Sequence, residues 1–129
     1  MSRKRYARLV IRALLELARY DLISVRAGFQ GVHRQLAQHA VALRTFGLAE
    51  ESLICEAVRL ASCFYVKPVL CLQRSVAAAR LLRKAGIDGR LVIGYRPTPF
   101  FSHAWVEVDG RVVNDSPAYK ERLRVLYTA

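Results

Sequence analysis

The fold is decided by residues 103–115, which read HAWVEVDGRVVND. β-branched and aromatic residues lie on both sides of Asp109-Gly110, a dipeptide that favours tight hairpin turns. This pattern predicts two antiparallel strands, Ser102–Val108 and Arg111–Asn114. The C-terminal half is therefore the part of the chain that is expected to form a β-sheet.

Upstream of the hairpin, the apolar period changes from helical to β at Gly86, which lies where a helix C-terminal cap belongs. The β-branched and large apolar residues of Arg90–Tyr95 predict a third strand, followed by a turn at Pro97-Thr98-Pro99. The helical period predicts four helices and a short closing helix, over 4–20, Val32–Thr45, Glu50–Tyr65, Cys71–Ala85 and Ala118–Leu126. The expected fold class is α+β: a helical N-terminal half, then a helix that carries a cysteine and packs on a small antiparallel sheet of about three strands.

Length and composition fit one globular domain. The 129 residues are 53% hydrophobic and 24% charged, which excludes a disordered tail. We divide the single domain 1–129 into a helical subregion, 1–67, and a core that carries the chemistry, 68–129. The N-terminal apolar residues are interrupted by arginines, so neither a membrane span nor a signal peptide is predicted and a cytoplasmic protein is expected.

Positive charge dominates the chain. The net charge is +11, and residues 1–34 contribute +6 of it, with only Glu16 and Asp21 as acids. Such a balance suggests an acidic partner, but no nucleic-acid-binding motif accompanies it. The basic face of the first helix is therefore predicted to be solvated, with a docking surface for an acidic partner protein or peptide as the alternative.

Most cysteines and histidines are expected to have structural roles. The three cysteines form no CxxC pair, so a zinc ribbon is not expected, and Cys55 and Cys63 are predicted to pack in the core. His33 and His39 lie in a polar helix at a spacing that suits a metal poorly, and they are predicted to be surface residues. No metal or other cofactor is expected.

Cys71, His103 and Asp115 are the residue types that acyl transfer requires. A thiol nucleophile needs a base to take its proton, and the base needs an acceptor that fixes its tautomer. At the start of a helix the dipole favours a thiolate, and free backbone N–H groups can stabilise an oxyanion. The alternatives are that Cys71 is a small buried hydrophobe and that Asp115 caps a turn or helix before Ser116-Pro117.

The hairpin register decides whether His103 and Asp115 can meet across adjacent strands. A two-residue Asp109-Gly110 turn would set Asp115 opposite Ala104 and place the two side chains on opposite sheet faces. A three-residue loop that begins at Val108, with a bulge at Gly110, would set His103 directly across from Asp115. We expect the three-residue loop, because it also forms two favourable cross-strand pairs: Trp105 with Val113 and Glu107 with Arg111.

Four segments within about Val69–Ser116 together resemble the lasso peptide biosynthesis B2 proteins: CLQRS at 71–75, RLVIG at 90–94, HAWVEVDG at 103–110 and VND at 113–115. Those proteins are leader peptidases with a transglutaminase-like, papain-related cysteine protease core. The resemblance implies that Cys71 is the nucleophile, His103 the base and Asp115 the orienting acid. Of the neighbouring residues, Arg74 is expected to pair with a carboxylate, Ser75 to be structural and Trp105 to pack over the site.

The resemblance also implies a function and partners. The protein would remove the N-terminal leader from a ribosomally made lasso peptide precursor, and a separate ATP-dependent cyclase would then close the macrolactam ring. In this family a small domain, either fused or present as a separate B1 protein, recognises the leader. The 129 residues leave no room for a further domain of about 80 residues, so a separate B1 partner is expected. Two alternatives stay open: an amide-forming acyltransferase with the same triad, and a basic nucleic-acid-binding module.

Overall fold

A computed structural model describes residues 3–37 and 48–129. Its elements in chain order are α1 (Arg3–Ala37), α2 (Leu48–Phe64), α3 (Cys71–Lys84), β1 (Arg90–Pro97), β2 (Phe100–Val108), β3 (Arg111–Val112), α4 (Ala118–Arg122) and β4 (Arg124–Thr128). The α+β class predicted from the sequence is confirmed. None of the helices in the described ranges combines the length and the hydropathy that crossing a membrane requires.

The N-terminal half is helical, but its first two predicted helices are joined. α1 runs from Arg3 to Ala37 and is kinked at Gly28, whose φ of 63° and ψ of −159° are not helical. The predicted second helix therefore begins inside α1, and its end, together with His39, lies outside the described residues. α2 agrees closely with its prediction.

α3 begins and ends where its sequence predicts. It starts at Cys71, and beyond its end Gly86 has a φ of 85°. The N–H of Gly86 donates to the carbonyl of Arg83 (3.0 Å) and the N–H of Ile87 to that of Leu82 (2.8 Å), the two hydrogen bonds of a Schellman cap. This cap fixes the point at which the chain turns toward β1.

The sheet has four antiparallel strands, in the order β3-β2-β1-β4, and not about three. The closing helix predicted to extend to Leu126 stops at Arg122, and Arg124–Thr128 pairs with the outer edge of β1. That edge offers unpaired backbone groups, and the β-branched and aromatic residues of β4 suit a strand. At the other edge, β3 ends at Val112, two residues before the predicted end of its strand.

The hairpin register predicted from the cross-strand pairs is wrong. Asp109 and Gly110 have φ values of 51° and 77°, as a two-residue type I′ turn requires. Glu107 therefore pairs with Val112, and Val108 with Arg111. The twist of this turn matches that of the strands, and this outweighs side-chain pairs worth only about 0.2–1 kcal/mol each.

The two faces of the sheet pack against different parts of the chain. Ala104, Val106 and Val108 of β2 join the main core with α3 and α1. Trp105 points to the other face and packs with Val92 and Leu123. Side chains alternate along a strand, so His103 shares the face of Trp105 and lies away from the body of α3.

Candidate active site

Cys71 is the first residue of α3 and is half-buried. The residue before it, Leu70, is the N-cap and supplies no side-chain hydrogen bond to the helix, and the first turn contains no acidic residue. The first N–H groups of a helix have no partner within the helix, so those beside the Cys71 thiol can serve an anion. This placement is the one expected for a nucleophile at a helix start.

Polar contacts with α1 hold the segment on both sides of Cys71. Asp21 of α1 accepts a hydrogen bond from the Tyr65 hydroxyl and forms an ion pair with Lys67 (2.7 Å). Beyond the cysteine, the buried Gln73 side chain donates to the carbonyl of Leu17 (2.9 Å). Residues 65–73 are thus fixed to α1 at three points.

Burial and hydrogen bonding shift the ionisation of two groups in this region. Burial, together with the hydrogen bond to Asp21, raises the pKa of Tyr65 to about 12. Burial also raises the pKa of Tyr20, with added effects from the charges of Asp21 and Cys71. Both phenols are therefore neutral near pH 7 and can act as hydrogen-bond donors.

His103 and Asp115 are brought together. Nε2 of His103 lies 2.7 Å from Oδ2 of Asp115, and the two side chains are only 13% and 17% exposed. The ring of Tyr119 stacks on the imidazole with 3.9 Å between ring centroids. Trp105 lies on the same face as expected, with its ring centroid 6.4 Å from that of His103. The imidazole is thus held by a carboxylate at one nitrogen and by aromatic rings at its face.

Asp115 reaches His103 from a loop and not from a strand, which corrects the prediction of adjacent strands. β3 ends at Val112 and the chain bends at Asn114-Asp115, so strand alternation does not govern the direction of the carboxylate. Beyond the end of β3, the loop brings the Asp115 carboxylate to His103. Asp115 does not cap α4, whose N-cap is Pro117, but its Oδ1 accepts from the N–H of Ser116 at the bend (2.8 Å).

Arg74 links the carboxylate to α3, the helix that begins at Cys71. Its guanidinium donates to Oδ2 of Asp115 at 3.1 Å, which confirms the predicted carboxylate pair. At the next position of α3, the fully buried Ser75 hydroxyl donates to the carbonyl of Ala104 (3.2 Å) and accepts from the Asn114 amide (3.1 Å). The Asn114 side-chain oxygen in turn accepts from the N–H of Val106 (2.7 Å). These contacts join α3, β2 and the loop of Asp115.

The structure does not join all three predicted residues directly. Within residues 3–37 and 48–129, no hydrogen bond connects the Cys71 thiol to His103. What the structure provides is the His103–Asp115 pair and the α3 contacts that flank it. The contact with Asp115 engages Nε2, so Nδ1 is the ring nitrogen left for a thiol.

Two other thiols and one predicted ion pair have different surroundings. Cys55 is partly buried in the core, and burial, with the charge of Glu51, raises its pKa to about 12. Cys63 is exposed, so its predicted core position is wrong.

The predicted pair of Glu107 with Arg111 does not form in this register: Glu107 contacts Lys120 (3.2 Å), and Arg111 contacts Glu51 (3.2 Å).

A cleft of about 580 Å³ opens beside Asp115, between the loop and α2. It is lined in part by Arg59, Arg74, Asn114 and Ser116, so its polar wall continues from the His103–Asp115 pair. In the described part of the chain, no three His, Cys, Asp or Glu side chains are grouped to hold a metal ion.

Several residues that shape this site were not predicted from the sequence to do so. Asp21, Tyr65 and Gln73 hold the segment around Cys71, and Asn114 and Tyr119 contact the loop of Asp115 and the imidazole. Asp21 and Tyr65 are 44 positions apart in the chain, and no local period connects them. Asn114 had one signal, since it lies directly before the candidate acid in the VND segment.

Comparison with known proteins identifies the family of the chain. The model of the transglutaminase-like superfamily matches residues 4–128. The chain is also similar to the microcin J25-processing protein McjB of Escherichia coli, with 41% identity over 86 residues, which cover 64% of this chain and 41% of that protein. The match thus spans less than half of the relative's own length, and no solved structure matches. These similarities confirm the resemblance to the lasso peptide B2 proteins, and the family match over nearly the whole sequence shows that the chain belongs to the transglutaminase-like superfamily.

Proposed function

We propose that this protein is a cysteine peptidase that removes the leader from a lasso peptide precursor, together with a separate B1 protein that presents the leader. The observation that carries the proposal is the 2.7 Å contact between His103 and Asp115, on a strand anchored to the helix that begins at Cys71. The relative's name, a processing protein for microcin J25, supports action on a ribosomally made precursor. An ATP-dependent macrolactam cyclase would use the product.

The proposed reaction is an acyl transfer to the thiol and then to water. The Cys71 thiolate attacks the carbonyl carbon at the leader–core junction, and N–H groups at the start of α3 stabilise the oxyanion. The C–N bond breaks as protonated His103 gives its proton to the leaving amine, which becomes the N-terminus of the core. His103 then takes a proton from water, the resulting hydroxide attacks the thioester, and the C–S bond breaks to restore the thiolate.

This chemistry requires Nδ1 of His103 and the Cys71 sulfur to approach when the substrate binds. Catalytic hydrogen bonds are often long in unbound enzymes and tighten with substrate present. The contacts of Asp115 with Arg74 and of Ser75 with Ala104 keep the first turns of α3 near β2, the strand that carries His103.

The decisive experiment incubates the protein with a lasso peptide precursor, with and without a B1 protein, and measures product masses. We expect leader and core fragments whose summed mass equals the precursor plus one water, whereas amide formation would join two molecules. Cys71→Ala should abolish cleavage. Cys63→Ala is the matched control, because that thiol is exposed and donates to the Arg59 carbonyl within α2 (3.5 Å), and it should cleave normally. Cleavage by Cys71→Ala at the wild-type rate would show that the catalytic assignment is wrong.

A further inference from the structure

A groove between α1 and α2, on a surface formed by other residues than the candidate active site, has the shape of a binding site. Its volume is about 590 Å³, within the range of about 300–1,000 Å³ found for ligand sites. Tyr6, Val10 and Ile11 of α1 face Leu53 and Leu60 of α2 across it. Ile11 is 56% exposed and Leu60 is 37% exposed, so large apolar side chains line a concave surface that is open to solvent.

The exposed surface of α1 beside this groove is basic. The only acids of α1 are Glu16 and Asp21, and both are used inside the fold. Glu16 is 5% exposed and pairs with Arg80 and Lys84, each at 2.6 Å. Asp21 pairs with Lys67. The charge that α1 presents to a partner therefore comes from its basic residues.

Basic residues also lie close to the apolar wall. Arg3 lines the groove, and the exposed Arg8 and Arg12 each lie one helical step, about 100°, from the groove residues Ala7 and Ile11. On the α2 side, the residues that line the groove are Leu53 and Leu60, which carry no charge. The groove is thus apolar at its base and positively charged along the α1 rim.

We infer that this groove docks an acidic peptide segment that carries large apolar side chains at helical spacing. An amphipathic helix fills such grooves with side chains at positions i, i+3 or i+4, and i+7, and its carboxylates would meet the arginines of the rim. A concave apolar surface suits inserted side chains better than the flat surface of a bilayer or the phosphates of DNA. The inference goes beyond the proposed peptidase chemistry, since binding in this groove requires neither Cys71 nor His103.

The test measures binding to the full chain of a fluorescein-labelled peptide of about 18 residues, or five helical turns, by fluorescence anisotropy. The peptide has Leu at helical i, i+3, i+4 and i+7 spacing and Glu at most other positions. We expect saturable binding that weakens as salt is added. A peptide of the same composition in scrambled order, and one with Lys in place of Glu, should each bind at least about tenfold more weakly.

Matched variants locate the site. Ile11→Glu should weaken binding by at least about tenfold, whereas Val25→Glu, at a residue 86% exposed on the same helix but about 21 Å further along it, should not. Arg8→Glu combined with Arg12→Glu should weaken binding and reduce its salt dependence, with Arg26→Glu as the control. Circular dichroism checks that each variant keeps its helices.

Three outcomes would overturn the inference: no saturable binding, equal binding of the scrambled peptide, or equal loss in the Val25 and Ile11 variants. Binding of duplex DNA or of vesicles with anionic lipid in preference to the peptide would also overturn it, and would assign the basic surface to that other partner. Because anisotropy reports binding alone, a protein that cleaves no precursor can still pass this test, and an active peptidase can still fail it.

Discussion

The carboxylate of Asp115 has three hydrogen-bonding partners in the structure. Oδ2 accepts from Arg74 (3.1 Å) and from His103 (2.7 Å), and Oδ1 accepts from the N–H of Ser116 (2.8 Å). Charge-assisted hydrogen bonds of this kind fix both position and direction. The carboxylate therefore holds the imidazole with its Nε2–H toward Asp115, which is the tautomer that leaves Nδ1 available as a base.

Replacing Arg74 tests whether this orientation matters for turnover. Arg74→Gln removes one partner of Asp115 but leaves the carboxylate and the imidazole in place. We therefore expect kcat to fall by roughly 10- to 150-fold with KM little changed, as for loss of a charge-assisted hydrogen bond worth about 1.5–3 kcal/mol. Steady-state cleavage kinetics measure both constants. Arg90→Gln is the control, because its ion pair with Asp88 (3.3 Å) lies on the exposed surface, and it should retain wild-type kcat. An unchanged kcat in Arg74→Gln would mean that Asp115 needs no such support.

At the level of elements, the Ser75 hydroxyl holds α3, β2 and the loop of Asn114 together. It is fully buried, donates to the carbonyl of Ala104 and accepts from the amide of Asn114. Asn114 then accepts from the N–H of Val106 beyond the end of β3. A short strand thus ends in a loop that is held by side chains, and this places Asp115 on the face of His103.

Ser75→Ala should loosen this junction. Two buried polar groups, the Ala104 carbonyl and the Asn114 amide, would lose a partner, so we expect the free energy of unfolding to fall by about 1–3 kcal/mol. Urea denaturation measures the change. Ser62→Ala is the matched control: its half-buried hydroxyl donates only to the Val58 carbonyl one turn earlier in α2, and the change there should stay within about 0.5 kcal/mol. Equal effects of the two substitutions would refute a special role for Ser75.

At the scale of the whole molecule, a buried ion network ties the helical half to the core. Glu16 of α1 contacts Arg80 and Lys84 of α3, and Arg80 is 3% exposed. Burial opposes ionisation of Glu16, but hydrogen bonds from Lys84 and Arg80 outweigh it and hold the pKa of the carboxyl below its usual value of 4.5. The folded protein therefore keeps Glu16 ionised at pH values where the unfolded chain takes up a proton.

This linkage predicts how stability depends on pH. Since the folded pKa is lowered, the contribution of Glu16 is fully present above the unfolded value of 4.5 and is lost as pH falls through the folded value. Glu16→Gln should cost about 3–5 kcal/mol near pH 7, because Arg80 loses its buried partner, and the deficit should shrink toward acid pH. Urea denaturation from pH 7 to pH 3 measures this difference. Glu56→Gln, at an exposed position of α2, is the control, and its free energy of unfolding should differ from wild type by a small amount that does not change with pH. A deficit in Glu16→Gln that stays constant with pH would contradict the linkage.

The sequence by itself determined the local features of this protein. The helical period, the cap at Gly86 and the Asp109-Gly110 turn depend on residues a few positions apart, so α3 with Cys71 at its start and the β1–β2–β3 order of the sheet follow from them. The motif segments likewise sufficed to predict the family.

Tertiary structure alone decided the rest, because the energies that select it come from distant residues. β4 forms where a helix was predicted because β1 offers it an open edge some thirty positions away in the chain. The predicted register failed, since local turn twist outweighed weak cross-strand pairs. Asp115 nevertheless meets His103, through a loop that α3 holds with Arg74 and Ser75, and no period in the sequence encodes a contact of that kind.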